Sequence, residues 1–206
     1  HGTTITNTTD AATVAITATG AGNTVAFLGN LTVTTGMTVA AAGANNYNVS
    51  IMGTANTITG ATATTFNNTG FVTLGDTVGD STTFTGGLDT HAGPALTHTF
   101  GTVQTNSTPM VIGALTLDGA TTLATNNGGG AGNTLTVGAV TGVGNNLTIN
   151  TGSAGAALIN QLGASGNPLG IFTVTNSHGT TIENTTDAAT VAITATGAGN
   201  TVAFLG

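Results

Sequence analysis

Short stretches in which every second residue is apolar recur from one end of the chain to the other. Residues 13–18 read TVAITA, 31–35 LTVTT, 48–52 NVSIM and 71–74 FVTL. The rhythm continues at 115–118 (LTLD), 135–138 (LTVG), 147–150 (LTIN) and 172–175 (FTVT). A period of two is the signature of a half-buried strand, and Thr, Val and Ile fit its pleated surface. The alternation predicts that Val14, Ile16, Leu31, Val33, Val49, Ile51, Val72, Leu74, Leu115, Leu117, Leu147, Ile149, Phe172 and Val174 point inward. Thr neighbours such as Thr32 and Thr173 then point outward, and a slip of one residue reverses a whole strand. Helix signals are poor: the Ala-rich run 40–44 is broken by Gly43 and followed by Asn45 and Asn46.

Turn residues separate the stretches at 20–23, 43–46, 67–70, 126–130 and 144–146. Gly and Asn there supply the backbone conformations that tight corners need. The first apolar residues of the alternating stretches are Val14, Leu31, Val49, Val72, Leu96, Leu115, Leu135, Leu147, Phe172 and Val191. They advance in nine steps over 177 residues, a mean of about 20, which fits one coil of a stacked solenoid. The expected fold class is all-β, a parallel β-solenoid (β-helix) of about nine coils of ~20 residues, rising about 43 Å per 177 residues. Like side chains then stack on like, with Phe66, Phe71, Phe84 and Phe100 expected in short internal aromatic stacks.

Residues 1–29 return at 178–206 with one difference, Thr6 against Glu183. The chain therefore divides into one full repeat unit, 1–177, and the start of a near-identical next one, 178–206, with no independent domains. Such a long, faithful period points to a tandem array, and the chain reads as a window on a longer polymer. The two copies are expected to share one backbone, with position 183 facing solvent, because an unpaired buried carboxylate is costly.

The segments 48–53 (NVSIMG), 66–76 (FNNTGFVTLGD), 82–88 (TTFTGGL) and 145–152 (NNLTINTG) resemble the Thr/Gly/Asn-rich repeats of giant bacterial strand-repeat surface proteins. These are the adhesins similar to filamentous haemagglutinin, and the resemblance covers essentially the whole chain. It implies a right-handed β-solenoid in a very long bacterial protein, extracellular or on the cell surface. The chain departs from those proteins in having neither Lys nor Arg.

That absence excludes several partners. Nucleic-acid binding draws on Lys and Arg against phosphates, and anionic lipid surfaces attract the same residues. Seven acidic groups are left with no basic partner but His, so they must be solvated, hydrogen-bonded or bound to cations. There is no cysteine, hence no disulfide, thiolate metal site or thiol nucleophile. No apolar run is long enough for a membrane-spanning helix. Stability must come from backbone hydrogen bonding and stacking.

Asp76 and Asp80, in GDTVGD, and Asp89 further on offer oxygen ligands for Ca²⁺ or an acid pair of the glycosidase kind. Solvated turn carboxylates are the plainer reading. His91 and His98 flank Pro94 and, with Asp89, suggest a zinc site, though the spacing matches no familiar pattern. Nothing orients Ser81 or Ser107 as a nucleophile. His1 and His178 are one surface position seen twice. Asn-x-Ser/Thr triplets at Asn7, Asn30, Asn48, Asn67, Asn106, Asn146 and Asn184 are no more than this composition yields by chance. The Thr pairs 32/34, 62/64, 97/99, 134/136 and 173/175 suggest an ice-binding ladder if they lie in register on one flat face. No residue is assigned a catalytic, cofactor or metal role.

The function expected is mechanical: a structural repeat of an extracellular fibre, sheath or surface filament, whose partner is the adjoining repeat of the same chain. The alternative is the stalk of a giant adhesin that binds elsewhere, and an ice-binding Thr face is a lesser one. No enzymatic activity is expected.

Overall fold

The computed structural model describes residues 1–17, 19–41, 43, 46–194 and 200–206. The chain is an all-β parallel β-solenoid of about eight turns of about 23 residues. No α-helix occurs among the described residues, and one 3-10 turn spans Asn127–Gly129. The strand expected over 13–18 ends at Ile16, and Ala18 lies outside the described residues. Parts of the expected turn 43–46 also fall outside them.

Each turn contributes to three ladders of parallel strands. The first face stacks Thr3–Ile5, Thr24–Phe27, Asn48–Ile51, Phe71–Leu74 and the start of Leu96–Thr105. The second stacks the start of Leu31–Val39, then Ala55–Ile58, Ser81–Phe84, the end of Leu96–Thr105 and the end of Leu115–Ala124. It continues through Leu147–Asn150, Leu169–Asn176 and Ala188–Ile193. The third carries Thr64–Thr65, Leu88–Asp89, Met110–Ile112, the start of Leu135–Thr141, Ala156–Leu162, Gly179–Ile182 and Val202–Phe204. Main-chain bonds thus run along the axis, each coil satisfying the next. Corners are made where glycine takes a left-handed backbone. Gly101 (φ 80°) bends Leu96–Thr105 from the first face to the second.

The core sits between the three ladders. Of the inward residues expected from alternation, all are buried except Val14, which is half-buried in the first coil. Thr32 and Thr173 are partly exposed on the outer side, as expected. Two expectations need correction. Phe66 and Phe84 meet inside, edge to face at 6.1 Å. Phe71, however, points outward from the first face, and Phe100 lies over Gly119 of the next coil instead of joining an internal stack. Each follows from strand parity: Val72 and Leu74 take the inward positions beside Phe71.

The turn count also differs from nine coils of ~20 residues. The apolar residues that begin the alternating stretches belong to different faces. Val14 is on the third, Leu31 on the second and Val49 on the first. Steps between them mix whole turns with fractions of a turn, which shortens the mean. Leu96 differs in another way: it stays on the first face but points outward, while Thr97 and Thr99 are buried.

The two copies fold alike. Thr3, Thr4 and Ile5 pair with Val25, Ala26 and Phe27, and Thr180, Thr181 and Ile182 pair with Val202, Ala203 and Phe204. The Leu28 amide donates to the Ile5 carbonyl at 2.8 Å, and the Leu205 amide to Ile182 at 2.9 Å. Thr6 and Glu183 are both exposed, so the one substitution places its carboxylate in water.

Candidate functional site

Asp76 and Asp80 are brought together at a corner between the first and second faces. Asp80 is almost wholly buried. Its carboxylate accepts the Asp76 and Thr77 amides at 2.7 and 2.9 Å and the Thr77 hydroxyl at 2.9 Å. Burial pushes the Asp80 carboxyl up, but these hydrogen bonds together outweigh it and hold it below the usual carboxylate range. Asp76 is exposed, and local desolvation, followed by the hydrogen bond and charge of Asp80, raises its carboxyl. Asp80 thus closes its own loop with the oxygens that a cation would need. Asp89 sits elsewhere, on the outside of the third face, where it accepts the His91 amide at 2.9 Å. Among the described residues no three His, Asp or Glu side chains gather as a metal-binding group.

His98 pairs with Asp118, a residue to which strand alternation alone gives no role. Its Nδ1 donates to the Asp118 carboxylate, 3.0 and 3.1 Å from the two oxygens. The His98 ring also meets Phe71 edge to face at 5.6 Å. Asp118 lies 20 residues beyond His98, close to one turn, so the coil spacing was the signal that links them. The cluster is an exposed lateral rung of the first face, with no nucleophile in contact. Ser81 accepts a bond from Gln104 at 3.3 Å, and Ser107 from the Gly132 amide at 3.3 Å; neither is paired with a His.

The buried hydroxyls serve packing. Thr97 donates to Thr90 at 2.8 Å, and Thr99 and Thr121 share a bond at 3.2 Å. Thr has the shape of Val, and one hydrogen bond removes most of the cost of burying it. Asparagine side chains act at corners as substitute main-chain acceptors. Asn30, Asn48, Asn56 and Asn146 accept the amides of Ala55, Phe71, Leu31 and Ile171 at 2.8 to 3.1 Å.

The five Thr pairs do not share a face. Thr97 and Thr99 are inside, Thr64 and Thr136 belong to the third ladder, and Thr32 and Thr173 to the second. In-register outward hydroxyls do occur on the second face, as Ser81, Thr102, Thr122, Thr148 and Thr173. The neighbouring column reads Thr83, Gln104, Ala124 and Asn150, so no double Thr ladder forms there.

An apolar concavity of about 370 Å³ forms the core mouth in the first coil, lined by Ile5, Val14, Ile16, Val25 and Phe27 among others. In the second copy the corresponding Ile182 is fully buried, covered by the coil that carries Ile159. At the matching position of the second copy, that space is filled by the preceding coil.

No family model, no curated protein and no solved structure matches the chain.

Proposed function

We propose that the chain is a repeat of a structural rod, in which successive 177-residue copies continue a single β-solenoid. Its role is mechanical, as an extracellular fibre, sheath or surface filament, and its partner is the adjoining copy of the same sequence. The observation that carries this reading is the passage through the repeat boundary. The Thr151 amide donates to Asn176 at 2.8 Å, His178 to Gly155 at 2.8 Å and Glu183 to Ile159 at 3.0 Å. Ser177, wholly buried, accepts from Thr151 at 2.9 Å and donates to Gly179 at 2.7 Å. The boundary between copies thus has the same ladders and the same dry core as the repeat interior.

Composition supports a place outside the cell. A chain with no Lys or Arg has no site for trypsin-like cleavage, and its acidic groups keep like rods apart at low salt. The strand-repeat resemblance supports the same place, and favours as a second reading the stalk of a giant adhesin. No turnover of any substrate is expected from the repeat.

Imaging of the native material tests the proposal. Free, unbranched rods of even width are the result expected for a fibre. Cell-attached stalks with a distinct tip would favour the adhesin reading. Compact particles on flexible tethers would overturn both.

A further inference from the structure

We infer that tandem copies of this repeat turn by one face from each copy to the next, so that every surface group faces three directions in succession and returns to its own face in the fourth copy. The inference rests on reading the chain as a tandem repeat of one rod. Its evidence is the register of the two copies. Thr3 pairs with Val25 on the first face. Thr180, the same residue one repeat later, belongs to the third-face column that includes Leu88, Met110, Leu135 and Ala157. That column reaches back through Thr64 and Met37, beside the Val39–Phe66 bridge, to Val14. Seven turns lead from Val14 to Thr180, and Thr3 precedes Val14 by two faces. One repeat therefore spans seven and two-thirds turns.

The second stretch of the copy moves in the same sense. Val14 and Ile16 lie on the third face with Met37 and Val39, whereas Val191 and Ile193 lie on the second with Phe172 and Val174. Among the described residues the matching strands of the two copies keep their order, and their faces shift together. The cause is the length of the repeat. At about 23 residues per turn, a whole number of turns would need roughly 161 or 184 residues, and 177 falls between. Three repeats close at 23 turns, about 110 Å at the strand spacing.

A rod of three or more copies then has no blank side. The exposed Phe71 and the His98–Asp118 rung, carried once per repeat, point outward from each face in turn. Contacts made through them are open to neighbours all round the rod.

The chain has no cysteine, so single labels test this. A chain of four tandem copies is given cysteine at the Thr6 position of copies one and two, or one and four, and tagged with maleimide gold clusters. The site is exposed in both copies and already accepts Glu. Cryo-electron microscopy is expected to show the first and second labels one-third of a turn apart, about 37 Å along the axis. The first and fourth labels are expected on the same side, about 110 Å apart. A straight rod with all labels on one side would overturn the inference and leave the rod reading intact. A chain that forms no continuous rod would overturn both.

Discussion

Ile5 and Ile182 are the same residue in two copies of one sequence, each paired with a phenylalanine one turn on, yet Ile5 is half-buried and Ile182 is wholly buried. The difference is the coil beneath Ile182, which sets Ile159 against it. Burial in this fold is a property of stacked neighbours, and a coil completes its core only when another lies on each side. Replacing Ile182 with Ala should cost about 2–5 kcal/mol, the usual range for emptying a packed site. Ile5→Ala should cost less than half as much, because water already reaches that side chain. Urea unfolding midpoints of the two variants measure the contrast, and equal costs would contradict it.

The Asp80 loop should make stability pH-dependent with a defined sign. Asp80 is held below the usual carboxylate range when folded, so its contribution is fully present above the unfolded value and lost as pH falls through the lowered one. Asp76 runs the other way: its raised value means that its ionisation works against the fold as pH rises through that value. Asp80→Asn should therefore destabilise near neutral pH by about 1–3 kcal/mol, since the charge is lost and one of the two accepting oxygens, Oδ2 for the loop amides or Oδ1 for the Thr77 hydroxyl, becomes a donor. It should also flatten the acid limb. Asp76→Asn should be neutral or slightly stabilising. Denaturant melts from acid to neutral pH report both signs.

Asn56 is a buried hinge between coils. Its Oδ1 accepts the Leu31 amide at 3.0 Å, and its Nδ2 donates to the Gly53 carbonyl and, at 3.2 Å, to the Thr82 hydroxyl. Asn56→Ala leaves a buried amide without an acceptor and should cost about 1–3 kcal/mol. Asn30→Ala, which removes an exposed bond to the Ala55 amide, should cost less. Amide exchange at Leu31 should accelerate in the Asn56 variant and remain slow in the Asn30 variant.

Gly75 should tolerate no side chain. Its φ is 80°, and a Cβ would stand 2.2 Å from the Phe100 carbonyl oxygen of the next coil. Both the left-handed backbone and the approach of a main-chain atom oppose Ala there. Gly79→Ala, four residues on and in open space, is the control that should fold normally. Circular dichroism melts distinguish them.

Alternation made the inward faces legible because water and a dry core lie on opposite sides of each strand. Leu31, Val33, Leu147 and Ile149 could be placed by period two alone. It failed at Leu96–Thr105, where Thr97 and Thr99 take inward positions. Thr and Val have one shape, and the hydrogen bonds that make Thr acceptable inside come from other strands or turns, Thr90 for Thr97 and Thr121 for Thr99. The turn count differs for a related reason: apolar residues look alike on every face, so their sequence does not say which face each serves. The Asp76–Asp80 spacing identified a real contact, but local spacing does not distinguish a carboxylate that faces a cation from one that faces its own loop amides. The His98–Asp118 rung was legible only once the turn length was known.

Continuity of the solenoid through the repeat boundary is tested most directly by hydrogen exchange in a chain of two complete copies. The boundary amides of His178, Thr180 and Glu183 are bonded to Gly155, Thr201 and Ile159. A continuous solenoid predicts that they exchange about as slowly as amides of Leu147–Asn150 in the interior of the repeat. Exchange at the rate of an exposed linker, with the interiors of both copies still protected, would contradict it.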